Sequence, residues 1–350
     1  MPDTIGAEQA PARPLAATNA SLAGRLALCG IVLIAAALRG WWIDAGSFIV
    51  PYYLAGVRSQ LESWHNFLFN AFDPAGFISL DKPPVAFWLQ AASAELFGFG
   101  TVSVLLPQLA EGIGSVALLY ALVRRYFGVA AGLLAALFLA LTPLAVAVDR
   151  SNNTESCLIL VLLLAAWALF RAIDSGRISP LLVSAAFVGI AFNVKMLVAF
   201  GVVPIFALVY LVATRPLSWW RLGWLSLAGV VLAALSLSWS LAYDLTPPAE
   251  RPFAGSSDGN SMLELAVGHN GVERFVRRAR TGGQVGALVA EPGSEPGAPT
   301  SGRDFAPAGP LSAGRATRWR HRSDGSFPSH WPAGWRLGFA QQDARPSALP

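Results

Sequence analysis

The chain has 350 residues, of which 54 % are apolar and 13 % charged, and its mean hydropathy is +0.51. So little polar surface cannot cover a water-soluble globule of this size, and a membrane protein is expected. The net charge of +4 arises wholly beyond residue 273, where 11 basic residues face 5 acidic ones, against 14 and 16 before it, so it is no sign of a nucleic-acid partner for the body of the chain.

Residues 1–22, with Pro, Ala, Thr and few charges, read as a disordered cytoplasmic lead. Apolar runs of the length that crosses a hydrocarbon core follow, at approximately 24–43, 103–123, 129–148, 157–173, 180–194, 196–213 and 222–241. The first is an anchor rather than a cleaved signal, because Arg39-Gly40-Trp41-Trp42 offers no small-residue cleavage site. The fifth and sixth are so close that Phe192-Asn193-Val194-Lys195 must be a tight turn or a polar break in one helical region. Arg13 and Arg25, Arg124 and Arg125, Arg171 and Arg177, and Arg215 and Arg221 fall on alternate connections, which predicts that those are cytoplasmic. The segments 44–102 and 149–156, Lys195, and everything after Tyr243 then face outward. Cys29 and Cys157 both lie in expected spans and define neither a disulfide framework nor a metal site.

The first outer loop, 44–102, is about 60 residues long, more than an idle connection needs. Its Tyr52–Phe69 stretch carries apolar and aromatic residues at helical spacing. A helix lying on the membrane surface is expected there, with Trp64, Phe67 and Phe69 turned to the lipid interface. Beyond it, Asp73 and Asp81 stand eight apart in a segment punctuated by Pro and Gly. Pro83 and Pro84 leave Asp81 and Lys82 just outside a helix start, where the helix dipole and Lys82 together favour an anion such as a phosphate; an Asp cap beside a solvated Lys is the alternative. The connection Asp149-Arg150-Ser151-Asn152-Asn153-Thr154-Glu155-Ser156 places eight polar residues between two apolar spans. Lys195, between Val194 and Met196, is costly in lipid unless it pairs or meets a cavity. The chain's only two lysines thus fall on the face that also carries Asp73, Asp81, Arg150 and Glu155, a set suited to an anionic, lipid-linked substrate and to proton transfer.

These residues carry a resemblance. Tyr52-Tyr53-Leu54-Ala55-Gly56-Val57-Arg58-Ser59, Ser63-Trp64-His65-Asn66-Phe67, Phe72-Asp73-Pro74, Asp81-Lys82-Pro83-Pro84, Leu106-Pro107-Gln108, Arg124-Arg125-Tyr126-Phe127-Gly128, Arg150-Ser151-Asn152-Asn153 and Asn193-Val194-Lys195-Met196-Leu197, in this order, resemble bacterial membrane glycosyltransferases of the aminoarabinose-transferase and protein O-mannosyltransferase type. The resemblance runs from about Trp42 to Asn270. It implies an all-α, GT-C-like bundle with a long first outer loop of interfacial helices. It also implies inverting transfer of a sugar from a polyprenyl-phosphate carrier to a lipid, glycan or protein acceptor at the outer face of a bacterial cytoplasmic membrane. Asp81-Lys82 matches the family's Glu-Lys-Pro-Pro motif, whose lysine meets the carrier phosphate. Glu155 and Lys195 fall where relatives have an acid after the third span and a second lysine. Tyr53, His65, Arg150 and Asn153 are carried over as substrate-binding candidates, with Asp81 and Asp73 as catalytic ones. No cofactor is assigned, and a divalent metal stays open.

Two departures accompany the match. Relatives carry an Asp-Glu pair several residues before the tyrosine matched by Tyr53, where this chain reads Ile49-Val50-Pro51, so Asp81, Asp73 or Asp44 would have to supply the base. Residues 244–273 still match as an outer segment, but 274–350 form an aperiodic Arg, Gly and Pro-rich tail, expected to be disordered and to mark a truncated or frame-shifted product. An inactive remnant and a lipid or solute transporter are the competing expectations; the latter would require repeated halves with broken helices.

Overall fold

The computed structural model describes residues 22–44, 47–214 and 218–268, all within the unit Met1–Glu291. All but the last residue of the expected lead and the whole of the expected tail lie outside them. The chain is helical because an apolar segment in lipid must satisfy its own backbone polar groups. Three isolated β-bridges are the exceptions among the described residues.

Helix α1 (Leu22–Gly40) enters the bundle. The loop that follows builds α2 (Pro51–Gln60), α3 (Trp64–Phe69) and α4 (Val85–Phe97). The single surface helix expected over Tyr52–Phe69 is therefore two. The chain stops at Leu61, and Ser63 starts α3 afresh by accepting a hydrogen bond from the Asn66 amide at 3.1 Å. Trp64 is 78 % exposed as expected, whereas Phe67 stacks on Trp88 at 5.6 Å and Phe69 meets Tyr243 edge-on at 5.5 Å, so both turn inward.

Helix α5 (Thr101–Leu141) is interrupted at Gly128, whose φ of +85° and ψ of 173° are not helical. The two parts fold back on each other. A Cβ on Gly132 would sit 3.0 Å from the Tyr120 ring, whereas twelve residues of one straight helix span about 18 Å. Helix α6 (Pro143–Asp149) restarts after Thr142, which is extended, and α7 (Glu155–Ser175) and α8 (Ile178–Lys195) follow. At Met196, with φ +45°, the chain leaves α8 for a 3-10 segment (Met196–Val202) and returns as α9 (Val203–Ala213), packing Tyr210 into the same cluster as Leu181 and Ala185. Helix α10 (Trp219–Leu245) and the short α11 (Met262–Val267) complete the described chain.

By length and composition five helical stretches among the described residues are apolar enough to cross a membrane: Leu22–Gly40, Thr101–Leu141, Glu155–Ser175, Ile178–Ala213 and Trp219–Leu245. Gly128 and the 3-10 segment subdivide two of them at the places where the sequence pattern separates spans. The expected sixth span, 196–213, is not one helix. Its first seven residues are 3-10, leaving 11 in α9, about 16 Å of helix. Charge marks the two ends of the bundle. Arg125 pairs with Asp174 at one end, and Glu155 stands at the other, about 29 Å away along α7.

Candidate active site at the loop end of the bundle

The backbone between α3 and α4 is held by its own polar side chains. Asp73 accepts hydrogen bonds from the amides of Ala75, Phe77 and Ile78 at 3.0–3.1 Å, and its carbonyl accepts from Ser59 Oγ at 2.7 Å. Asn70 passes its Nδ2 proton to the Lys82 carbonyl at 2.8 Å while its Oδ1 accepts from Gln60 at 2.7 Å. Leu80 is fully buried where a Cβ on Gly56 would strike it, so α2 lies hard against the segment leading to the charges.

Asp81 and Lys82 emerge from this frame as a pair, Nζ to Oδ2 2.6 Å, with the Lys82 side chain 7 % exposed. Tyr52 accepts from the Asp81 amide at 3.1 Å. Burial, and secondarily the Asp81 charge, push the Tyr52 hydroxyl up to about 12, so it stays neutral at the mouth of the site. A second acid–lysine pair, Glu155 with Lys195, joins the first residue of α7 to the last of α8. Ala86, four residues beyond Lys82, shares one buried apolar cluster with Cys157, Val194 and Met196, the near sequence neighbours of Glu155 and Lys195. The chain's only two lysines, 113 positions apart, are each matched by a carboxylate.

The other expected site residues have structural partners. Arg150 donates to the carbonyls of Leu38 and Trp42 at 3.0 and 3.4 Å, closing the end of α1. Asn153 donates to Ser151 Oγ at 2.9 Å. The Nε2 of His65 is 3.0 Å from the Glu250 carbonyl, tying α3 to the segment after α10, and Tyr53 packs on Phe87 at 5.1 Å. Among the described residues no group of three or more His, Cys, Asp or Glu gathers as a metal site. Cys29 and Cys157 are both free thiols.

Several buried polar residues are not among the candidate site residues. Arg39 and Asp149 form a buried pair, Nε to Oδ2 2.7 Å, with side chains 0 % and 6 % exposed. Asp149 also accepts from Ser156 Oγ at 2.6 Å, and Arg39 donates to the Ala140 carbonyl at 3.2 Å. Gly112 makes room for them, because a Cβ there would run into the Asp149 carboxylate and lie 2.9 Å from Arg39 Nε. Glu111 and Gln108 are buried one turn apart on α5. An acid inside an apolar span was the available signal for Glu111. Nothing local in the sequence pairs Arg39 with a residue 110 positions away.

Residues 81–241 match the family described as dolichyl-phosphate-mannose-protein mannosyltransferase. Two proteins of Bacillus subtilis (strain 168), each carrying a proposed mannosyltransferase name, are similar. YycA is 48 % identical over 249 residues, 71 % of this chain and 36 % of its own length; YkcB is 45 % identical over 254 residues, 73 % and 36 %. The chain thus spans about a third of the length of these curated relatives. ArnT from Cupriavidus metallidurans, solved in the apo state, superposes with a TM-score of 0.49 at 19 % identity, over 65 % of this chain and 42 % of that one. Lys82 and Lys195 both lie inside the region, residues 81–241, that is similar to the dolichyl-phosphate-mannose-protein mannosyltransferase family.

Proposed function

We propose that this chain carries the donor-binding part of a membrane glycosyltransferase that moves a sugar, with mannose the first candidate, from a polyprenyl-phosphate carrier to a hydroxyl-bearing acceptor at the outer face of the membrane. The observation that carries the reading is the pair of matched lysines, Lys82 with Asp81 and Lys195 with Glu155. A buried ammonium needs a counter-charge, and a carboxylate supplies it until a phosphate arrives. In the transfer step an acceptor oxygen bonds to the anomeric carbon on the face opposite the carrier. The bond from that carbon to the phosphate oxygen breaks, and its electron pair leaves with the carrier phosphate. Lys82 and Lys195 stabilise the charge that builds there. Asp81, released from Lys82 as the phosphate engages the ammonium, takes the acceptor proton.

In this reading Asp73 is a loop organiser, since its carboxylate already accepts three backbone hydrogen bonds. The base is then assigned to Asp81, the nearer acid to Lys82. The test is transfer of labelled mannose from a polyprenyl-phosphate carrier by the full chain in a membrane extract. Lys82→Ala is expected to lose at least tenfold in carrier use, because a charge-assisted contact to phosphate is worth about 1.5–3 kcal/mol. Arg58→Ala is expected to lose little, since Arg58 is half-exposed and paired with Glu62 at 3.6 Å. Equal transfer by the two variants would sink the assignment.

A further inference from the structure

The first outer loop builds a concavity that neither lysine lines. It measures about 550 Å³ and opens between the end of α2, α3 and the second half of α4, lined by Gln60, Glu62, Trp64, Phe67, Glu95 and Leu96 among others. That is within the range of small-molecule sites. Its residues on α4 begin with Ala91, about 9 Å along the helix from the start at Val85. Trp64 and Leu96 stand 78 % and 77 % exposed at its edge. Trp64 is braced edge-on against Phe67, which is itself backed by Trp88.

Gln60, Glu62 and Glu95 present acceptor oxygens to this pocket, and Ser63 and Trp64 add a hydroxyl and an indole N–H. Gln60 is 3 % exposed, its Nε2 donates to Asn70 Oδ1, and its Oε1 is buried without a hydrogen-bond partner. Glu62 and Glu95 add two carboxylates. Arg58, the neighbouring cation, is held 3.6 Å from Glu62 with its guanidinium over the Phe99 ring at 5.1 Å. A ligand here must bring donors and an apolar body, and must not bring an anion. Those terms exclude a phosphate-linked carrier, which the lysines suit, and describe a hydroxyl-rich headgroup on a hydrocarbon anchor. A hexose ring meets them: its C–H face packs on an aromatic side chain while its hydroxyls donate to carboxylate and amide oxygens.

We propose that the pocket between α2, α3 and α4 binds the sugar headgroup of an uncharged glycolipid. Its standing as the acceptor end of the reaction rests on the transferase reading above; its standing as a binding site does not.

The test uses the full chain in phosphatidylglycerol nanodiscs with a monohexosyl diacylglycerol bearing a diazirine next to the glycerol, and maps the cross-links by mass spectrometry. Labelling is expected to concentrate in residues 60–67 and 91–96 and to be competed by unlabelled monohexosyl diacylglycerol. It should fall about fivefold in Trp64→Ala and about threefold in Glu95→Gln, an exposed isosteric change that leaves the fold intact. Equal labelling of these peptides by a phosphatidylglycerol diazirine, or labelling indifferent to both substitutions, overturns the site. Because the readout needs no transfer, the two proposals fail separately. Labelling without mannosyl transfer retains the site and removes the transferase reading, while transfer without labelling removes the site and retains that reading.

Discussion

Asn152 grips Val50 by both of its main-chain groups: its Oδ1 accepts from the Val50 amide at 2.7 Å and its Nδ2 donates to the Val50 carbonyl at 3.1 Å. Its own carbonyl accepts from Gln90 Nε2 at 3.3 Å, so one residue of the connection between α6 and α7 ties the entry of α2 to α4. Two residues beyond Val50, Tyr52 receives the Asp81 amide, which makes Asn152 a support for the position of the Asp81–Lys82 pair. Asn152→Asp keeps the shape and the acceptor but loses the donor and sets a buried carboxylate against a carbonyl. The expected cost is about 1–3 kcal/mol, with faster proteolysis in the 44–85 loop. Thermal unfolding in detergent and a timed protease digest check it.

The pair beneath the loop responds to single and double changes differently. Asp149→Asn leaves the Arg39 guanidinium buried without its counter-charge, at an expected cost of about 3–5 kcal/mol. Replacing both partners by apolar residues, Arg39→Met with Asp149→Leu, should recover most of that, because neither desolvated charge remains. Gly112→Ala should be nearly as damaging as Asp149→Asn, since its methyl would occupy the space of the carboxylate. Unfolding midpoints of the four proteins decide the matter. A double variant less stable than Asp149→Asn would mean that the pair contributes net stability.

How far the sequence anticipates these features depends on whether their cause is local. The membrane class, the helical content, the break at Gly128 and the site-end location of Lys195 follow from apolar run length, one glycine and two isolated charges, all readable within a window of about 20 residues. The split of the surface helix at Ser63 was also local, because a Ser three residues before Asn66 is an N-cap signal, but aromatic spacing on either side masked it. The pairing of Glu155 with Lys195, of Arg39 with Asp149 and of Asn152 with Val50 spans 40 to 110 positions and depends on which helices pack together. Periodicity does not encode that. The Asp81–Lys82 pair needed no such information, being two adjacent residues in front of two prolines.

The aromatic floor of the loop gives a prediction independent of catalysis. Trp88 donates its Nε1 hydrogen to the Phe67 carbonyl at 2.6 Å and stacks on the same residue's ring, so α4 carries α3. Trp88→Phe retains the stacking and loses the hydrogen bond, leaving the Phe67 carbonyl only the longer bond from the Asn70 amide at 3.3 Å. A loss of about 1 kcal/mol is expected, with earlier hydrogen exchange in residues 64–70 than in α7. Uniform exchange across the chain would contradict it.

The last prediction separates a phosphate-binding role for Lys195 from a purely structural one. If Glu155 is a placeholder for the carrier phosphate, removing its charge should leave carrier binding nearly intact, whereas removing Lys195 should not. Glu155→Gln keeps the side-chain shape and one acceptor for the Lys195 ammonium. Its KM for polyprenyl-phosphate mannose is expected to stay within about threefold of the parent. Lys195→Met keeps the apolar stem that passes Val194 and Met196 but deletes the charge, and should raise KM at least tenfold, as the loss of one charged contact of about 1.5–3 kcal/mol requires. The salt dependence of KM should also flatten in Lys195→Met and not in Glu155→Gln, because screening acts only on the charge that meets the phosphate. A structural ion pair predicts the opposite pattern: both substitutions would lower the unfolding midpoint together and shift KM by similar factors, since either one breaks the same bond between α7 and α8.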